Sequence, residues 1–169
     1  MAIPSDERQF LRHTVATLAY RAGKVLRDFP PDLTAQRASP ATRTPLELLG
    51  HLADLAHWAA GMSRGDPTWH TVPPGSWAEA RQRFFDDLGA LDAELARGAP
   101  QSRPLVKIFQ GPIADALTHV GQLAMLRGMN GAPVRPESYG RADITIGRVG
   151  LDQAAPRAEF DGDASRPAS

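Results

Sequence analysis

The chain has 169 residues, no cysteine, and 19 basic against 19 acidic side chains, a formal net charge of zero. The missing cysteine excludes disulfides, thiolate nucleophiles and Cys-based zinc sites, leaving imidazole and oxygen as transition-metal ligands. The charge balance offers none of the concentrated basic surface on which nucleic-acid binders rely, so no nucleic-acid partner is expected.

"MAIPSDERQF" lacks the basic-then-apolar order of a secretory signal. No segment approaches the roughly 20 apolar residues that span a bilayer. A cytoplasmic protein with no membrane partner is therefore expected.

The first helix is predicted from about Ser5 to Leu26, with Ser5 as N-cap, Asp6 and Glu7 complementing the dipole, and Leu11, Val15, Leu18, Ala22 and Val25 as its inward stripe. "RDFPPDLTAQRASPATR" reads as a loop, because two successive prolines cannot continue a helix. A second helix opens at "TPLE", with Thr44 capping, Pro45 in the first turn and Glu47 closing a capping box, and it runs to about Met62. "SWAE" opens a third helix, with Trp77, Phe84, Leu88, Leu91 and Leu95 at helical spacings up to Arg97-Gly98. "GP" at 111–112 is expected to split the fourth, leaving "PLVKIF" as a separate short turn and a main helix from about Pro112 to Met129, with Asn130-Gly131 as its C-cap.

Strand signals are nearly absent, "ADITIGRVG" being the one alternating stretch. The expected class is all-α, an antiparallel four-helix bundle with a long irregular C-terminal tail. Residues 1–150 form the bundle and a covering segment, and 151–169 a flexible C-terminal tail.

"GPIADALTHVGQL" carries Asp115, His119 and Gln122 in one seam beside Ile113, Leu117, Val120 and Leu123. Asp115 and His119 are four apart, so both side chains can converge on one point, as metal ligands on a helix do. Such a pair is either a hydrogen-bonded polar cluster or part of a metal centre. On the second helix, His51 lies about 60° from the middle of the buried stripe (Leu48, Leu52, Leu55, Ala59 and Met62), whereas His57 faces the opposite way. His51, Asp115 and His119 are thus the candidate metal ligands. Gln122 can orient a ligand, and Trp58 and Tyr139 are candidate pocket residues, although Trp58 and Trp77 read first as packing aromatics. Met125 and Met129 read as packing. His13 and His70 read as surface or loop histidines.

"PLELLGHLADLAHW" with "DALTHVGQLAMLRGMNG" resembles the DinB/YfiT-like superfamily of bacterial four-helix-bundle proteins. There a histidine early in the second helix joins an H-x-x-x-H pair on a later helix, the second histidine commonly preceding R-G-Q. His51 matches the first position, and His119, Gly121 and Gln122 match the H-R-G-Q position. Asp115 stands where the pattern has histidine and Val120 where it has arginine.

The resemblance implies a divalent ion and a homodimer; ligands of this type suit Ni, Zn, Fe or Mn. It also implies a metal-dependent enzyme on a small molecule, a transferase using a low-molecular-weight thiol or a hydrolase. The segment Pro133 to Val149 is expected to cover the open end of the bundle, bringing Tyr139, Arg141 and Asp143 to the pocket. The competing expectation is a non-catalytic, stress-related binding or dimerisation bundle whose Asp115–His119 seam is structural.

Overall fold

The computed structural model describes residues 5–98 and 104–160. It is all-helical: α1 (Ser5–Leu26), α2 (Pro45–Arg64), α3 (Trp77–Arg97), then α4 (Leu105–Ile108), a π-helical segment (Phe109–Ile113) and α5 (Ala114–Met129). Among the described residues there is no strand, only an isolated bridge between Glu137 and Glu159. No described helix is long and apolar enough to cross a membrane. "ADITIGRVG" forms turns.

Local chemistry sets the helix limits. Thr44 and Ser76 each close a capping box, with Glu47 and Glu79, and so satisfy amide groups that a helix start leaves free. Gly65 and Gly98 end α2 and α3 at φ of 100° and 73°, a region glycine enters without steric cost.

The fourth rod is not broken at "GP". α4 runs directly into the π segment and then α5, and the Ala114 amide reaches back five residues to the Phe109 carbonyl. Pro112 has no amide to give and its ring would crowd the Ile108 carbonyl in an α-turn; the wider π turn accommodates both. The short turn expected at "PLVKIF" is therefore the first turn of one continuous rod.

One hydrophobic cluster joins all four rods, from Leu18 of α1 through Leu52 of α2 and Leu88 of α3 to Leu123 of α5. Each rod packs mainly on two others: α1 on α3 and α5, α2 on α3 and α5. The expectation that all neighbours run antiparallel needs correction. Arg83 of α3 reaches Gly50 and Asp54 of α2 while Asp87 reaches His57, so α2 and α3 run in the same direction. The connection from Gly65 to Ser76 causes this by returning along α2 until Pro74 rests on Gly50. Pairs Arg12–Asp92 and Arg8–Gly98 set α1 against α3, and His51–His119 with Trp58–Gly111 set α2 against α5.

The segment after α5 lies on α1. Buried Glu137 accepts from the Tyr20 hydroxyl (2.6 Å) and the Lys24 ammonium (2.7 Å), and Glu159 meets the same ammonium at 2.8 Å. Residues 151–160 thus continue the covering segment, and 161–169 lie outside the described residues. Met125 and Met129, expected to pack, are instead 59% and 69% exposed, because α5 turns that side away from α1 and α2.

Candidate metal centre

α2 and α5 face each other with opposite directions, which lets a residue near the start of α2 meet one in the first half of α5. His51 reaches the seam from α2; its ring lies 4.9 Å from that of His119, centroid to centroid, at 79° between planes. Asp115 enters two residues beyond the π segment, one turn before His119. Its two carboxylate oxygens divide between the rings, Oδ2 at 3.5 Å from His51 Nε2 and Oδ1 at 3.4 Å from His119 Nε2. All three groups offer a donor atom within 4.8 Å of the others. No other trio of His, Cys, Asp or Glu among the described residues meets that condition.

These separations bear on two chemistries, a hydrogen-bonded seam and a metal centre. They exceed the 2.7–3.2 Å of a good N–H···O bond. Four ligands about 2.1 Å from an ion in a tetrahedron stand about 3.4 Å apart, close to each of the two distances, which run from different oxygens of Asp115. The donor set fits a divalent ion: two borderline imidazoles and one hard carboxylate, a combination shared by Zn, Fe, Mn and Ni.

Gln122 prepares His119 for that role. Its carboxamide oxygen accepts from Nδ1 at 2.7 Å, so the proton sits on Nδ1 and Nε2 keeps its lone pair toward Asp115 and His51. Burial holds the His51 imidazole below its ordinary pKa; Arg43 and His119 push the same way, and Asp115 opposes them. A neutral ring is the form that ligates.

The connection after α2 supplies a wall. Trp58 donates its indole N–H to the Pro67 carbonyl (2.8 Å), and Trp69 stands edge-on between Trp58 and His51, with centroids 5.6 and 5.7 Å away. Trp58 therefore acts at one remove, by positioning Trp69.

Tyr139 is placed elsewhere: its ring takes Arg21 at 4.1 Å and the edge of Tyr20, both on α1. Asp143 pairs with Arg148 (3.9 Å) in the same covering segment, and Arg141 lies in the turn with Tyr139. The segment does not bring these three to the histidines because the Lys24–Glu137 pair draws it onto α1.

His57 is half-exposed and bonded to Asp87 at 3.1 Å, outside the trio, as its position on α2 implied. Sequence reasoning missed Trp69 and Arg43. Arg43 had a legible signal, its place directly ahead of the capping Thr44 at the start of the helix that carries His51; Trp69 had none, because loop residues carry no periodicity.

Two open clefts flank the trio. One of about 360 Å³ runs past His119 and Gln122 between α5 and residues 38–43; the other, about 450 Å³, runs past His51 under Trp69 and Pro73. No protein-family model, no curated protein and no solved structure matches the chain.

Proposed function

We propose that this protein is a divalent-metal-binding four-helix bundle of the DinB-like kind, with the ion on His51, Asp115 and His119. One observation carries the reading: three ligating groups from facing helices whose donor atoms lie within 4.8 Å of one another. The half-exposed carboxylate and the two adjoining clefts leave coordination positions facing solvent, where a small molecule can enter.

The chemistry the ion supplies when bound is acidification of a coordinated thiol or water, giving thiol transfer to an electrophile or hydrolysis. The chain's own part is distinct. Gln122 keeps the proton on the far nitrogen of His119, burial keeps His51 neutral, and Trp69 shields one side from water. A homodimer belongs to the same proposal, and light scattering on the purified protein tests it.

Elemental analysis of protein purified without a metal-affinity tag tests the centre. About one equivalent of metal is expected, lost in both His51→Ala and His119→Ala. Metal-free protein whose stability is unchanged by added Zn, Ni, Mn or Fe would overturn the reading. A non-catalytic bundle with a structural seam has one observation in its favour, since Asp115 turns a separate oxygen to each ring; the same analysis decides between them.

A further inference from the structure

Among the described residues, Arg43 is the only arginine or lysine lining either cleft, and it lines both. It is exposed, and among the described residues it makes no hydrogen bond or ion pair, while the second cleft runs from it to His51. The nearby Arg37 is committed, to Glu47 at 2.6 Å and to the Thr42 carbonyl. The backbone under Arg43 is fixed by a reciprocal pair, Ser39 N–H to Thr42 Oγ1 (3.0 Å) and Thr42 O–H to the Ser39 carbonyl (2.9 Å), and by the capping box that starts at Thr44.

A lone surface arginine is ordinarily solvated and needs no ligand. What sets this one apart is its surroundings. The 360 Å³ cleft beside it has apolar walls from Ala38, Leu48, Met125 and Leu126, and its other polar end is His119 with Gln122. Met125 is 59% exposed, an apolar cost the fold leaves open to water. The volume lies within the usual range for small-molecule pockets, in which apolar walls bind and a few polar groups orient. A short apolar body carrying a single anionic group suits the arginine end and the apolar walls.

We propose that this cleft binds a small apolar carboxylate, with Arg43 clamping the carboxylate and Leu48, Met125 and Leu126 holding the body, so that its far end is presented at His119. The proposal rests on the metal-centre reading only for what happens at that far end. It carries a coupling: an anion on Arg43 cancels the positive potential beside His51, so carboxylate and divalent cation each tighten the other's binding.

Calorimetric titration of metal-stripped protein with 4-phenylbutyrate, 4-phenyl-1-butanol and inorganic phosphate is the test. The carboxylate should bind about tenfold more tightly than the alcohol, the worth of one charge-assisted contact. Phosphate, which has no apolar body, should bind more weakly than the carboxylate. Arg43→Met should abolish the preference for carboxylate over alcohol, with its thermal midpoint unchanged. Arg64→Met, at an exposed arginine that ends α2 and lines neither cleft, should keep the preference.

Equal affinity for carboxylate and alcohol, or a preference that survives in Arg43→Met, would overturn the proposal. So would phosphate binding as tightly as the carboxylate. Carboxylate binding seen only in metal-loaded protein and indifferent to Arg43 would also overturn it, by placing the anion on the ion, while leaving the metal centre standing. Arg43-dependent preference in protein that is purified without metal and whose stability added metal leaves unchanged would support the cleft and sink the centre, so the two failures are separable.

Discussion

Gln122 shows how much a single side chain contributes beyond the ligands. With its oxygen on Nδ1, His119 has one tautomer; without it, the ring can place its proton on the nitrogen meant for the ion. Gln122→Leu should weaken metal binding roughly 10–100-fold, the usual worth of such a partner, with little change in the melting of the metal-free protein because the residue is exposed. Competition against a chromophoric chelator measures this. His51 gives a pH prediction for the metal-free chain. Its imidazole titrates near pH 6.5 when unfolded and lower when folded, chiefly through burial, so between those values the unfolded state holds more protons. Stability therefore rises with pH through the window below about 6.5 and falls as acid passes through it. Denaturant midpoints taken from roughly pH 5 to 7 should climb less steeply in His51→Gln than in the parent chain. The three ligands were legible in the sequence because a helix fixes direction by position; the partners that tune them were legible only where they share that helix, as Gln122 does with His119.

At the scale of elements, the connection from Gly65 to Ser76 does more than any helix to shape the site. It turns α3 parallel to α2, and it carries Trp69 to His51. Two glycines permit the close approach. A Cβ on Gly61 would lie 2.4 Å from the Asp66 carbonyl oxygen, and one on Gly50 would lie 2.7 Å from Pro74 Cβ. Gly61→Ala should therefore displace the start of the connection and cost about 1–3 kcal/mol, as overpacking does. Its signature would be a lower denaturant midpoint together with shifted tryptophan emission, since Trp58 is tied to Pro67 and Trp69 leans on Trp58. The helix boundaries were legible because capping boxes and terminal glycines are local chemistry. The direction of α3 was not, because it depends on Pro74 meeting Gly50 across the chain. The π segment was half legible: Pro112 announced a disturbance, but whether the rod breaks or widens is settled by Ile108 just before it and Ile113 at its end, both buried in the core.

Over the whole molecule, the covering segment is fastened to α1 at a charged cluster rather than at an apolar patch. Glu137 binds Tyr20 and Lys24 with its two oxygens, and Lys24 also holds Glu159, so three stretches far apart in sequence meet at one ammonium. No sequence pattern announces this, since Lys24 and Glu137 are 113 residues apart and each alone reads as surface. A buried pair contributes little net stability, yet removing one partner strands the other. Glu137→Ala should thus cost about 3–5 kcal/mol, moderated by the remaining Glu159 bond, and Glu137→Gln should cost less because its carboxamide still accepts from Tyr20. The cluster also sets an alkaline limit. Burial and then the Glu137 bond raise the Tyr20 pKa, while for Lys24 burial works against the charge and the bonds to Glu137 and Glu159 outweigh it. Both folded values lie above the unfolded ones, so the contribution is complete below about pH 10 and is lost as pH rises beyond it. Urea midpoints measured from roughly pH 8 to 11 should fall steeply in the parent chain and more gently in Glu137→Gln, which lacks the carboxylate that holds the Lys24 charge. Parallel curves for the two proteins would mean that the segment is held on α1 by its apolar contacts, such as buried Val149, and that the ionic cluster only marks the place.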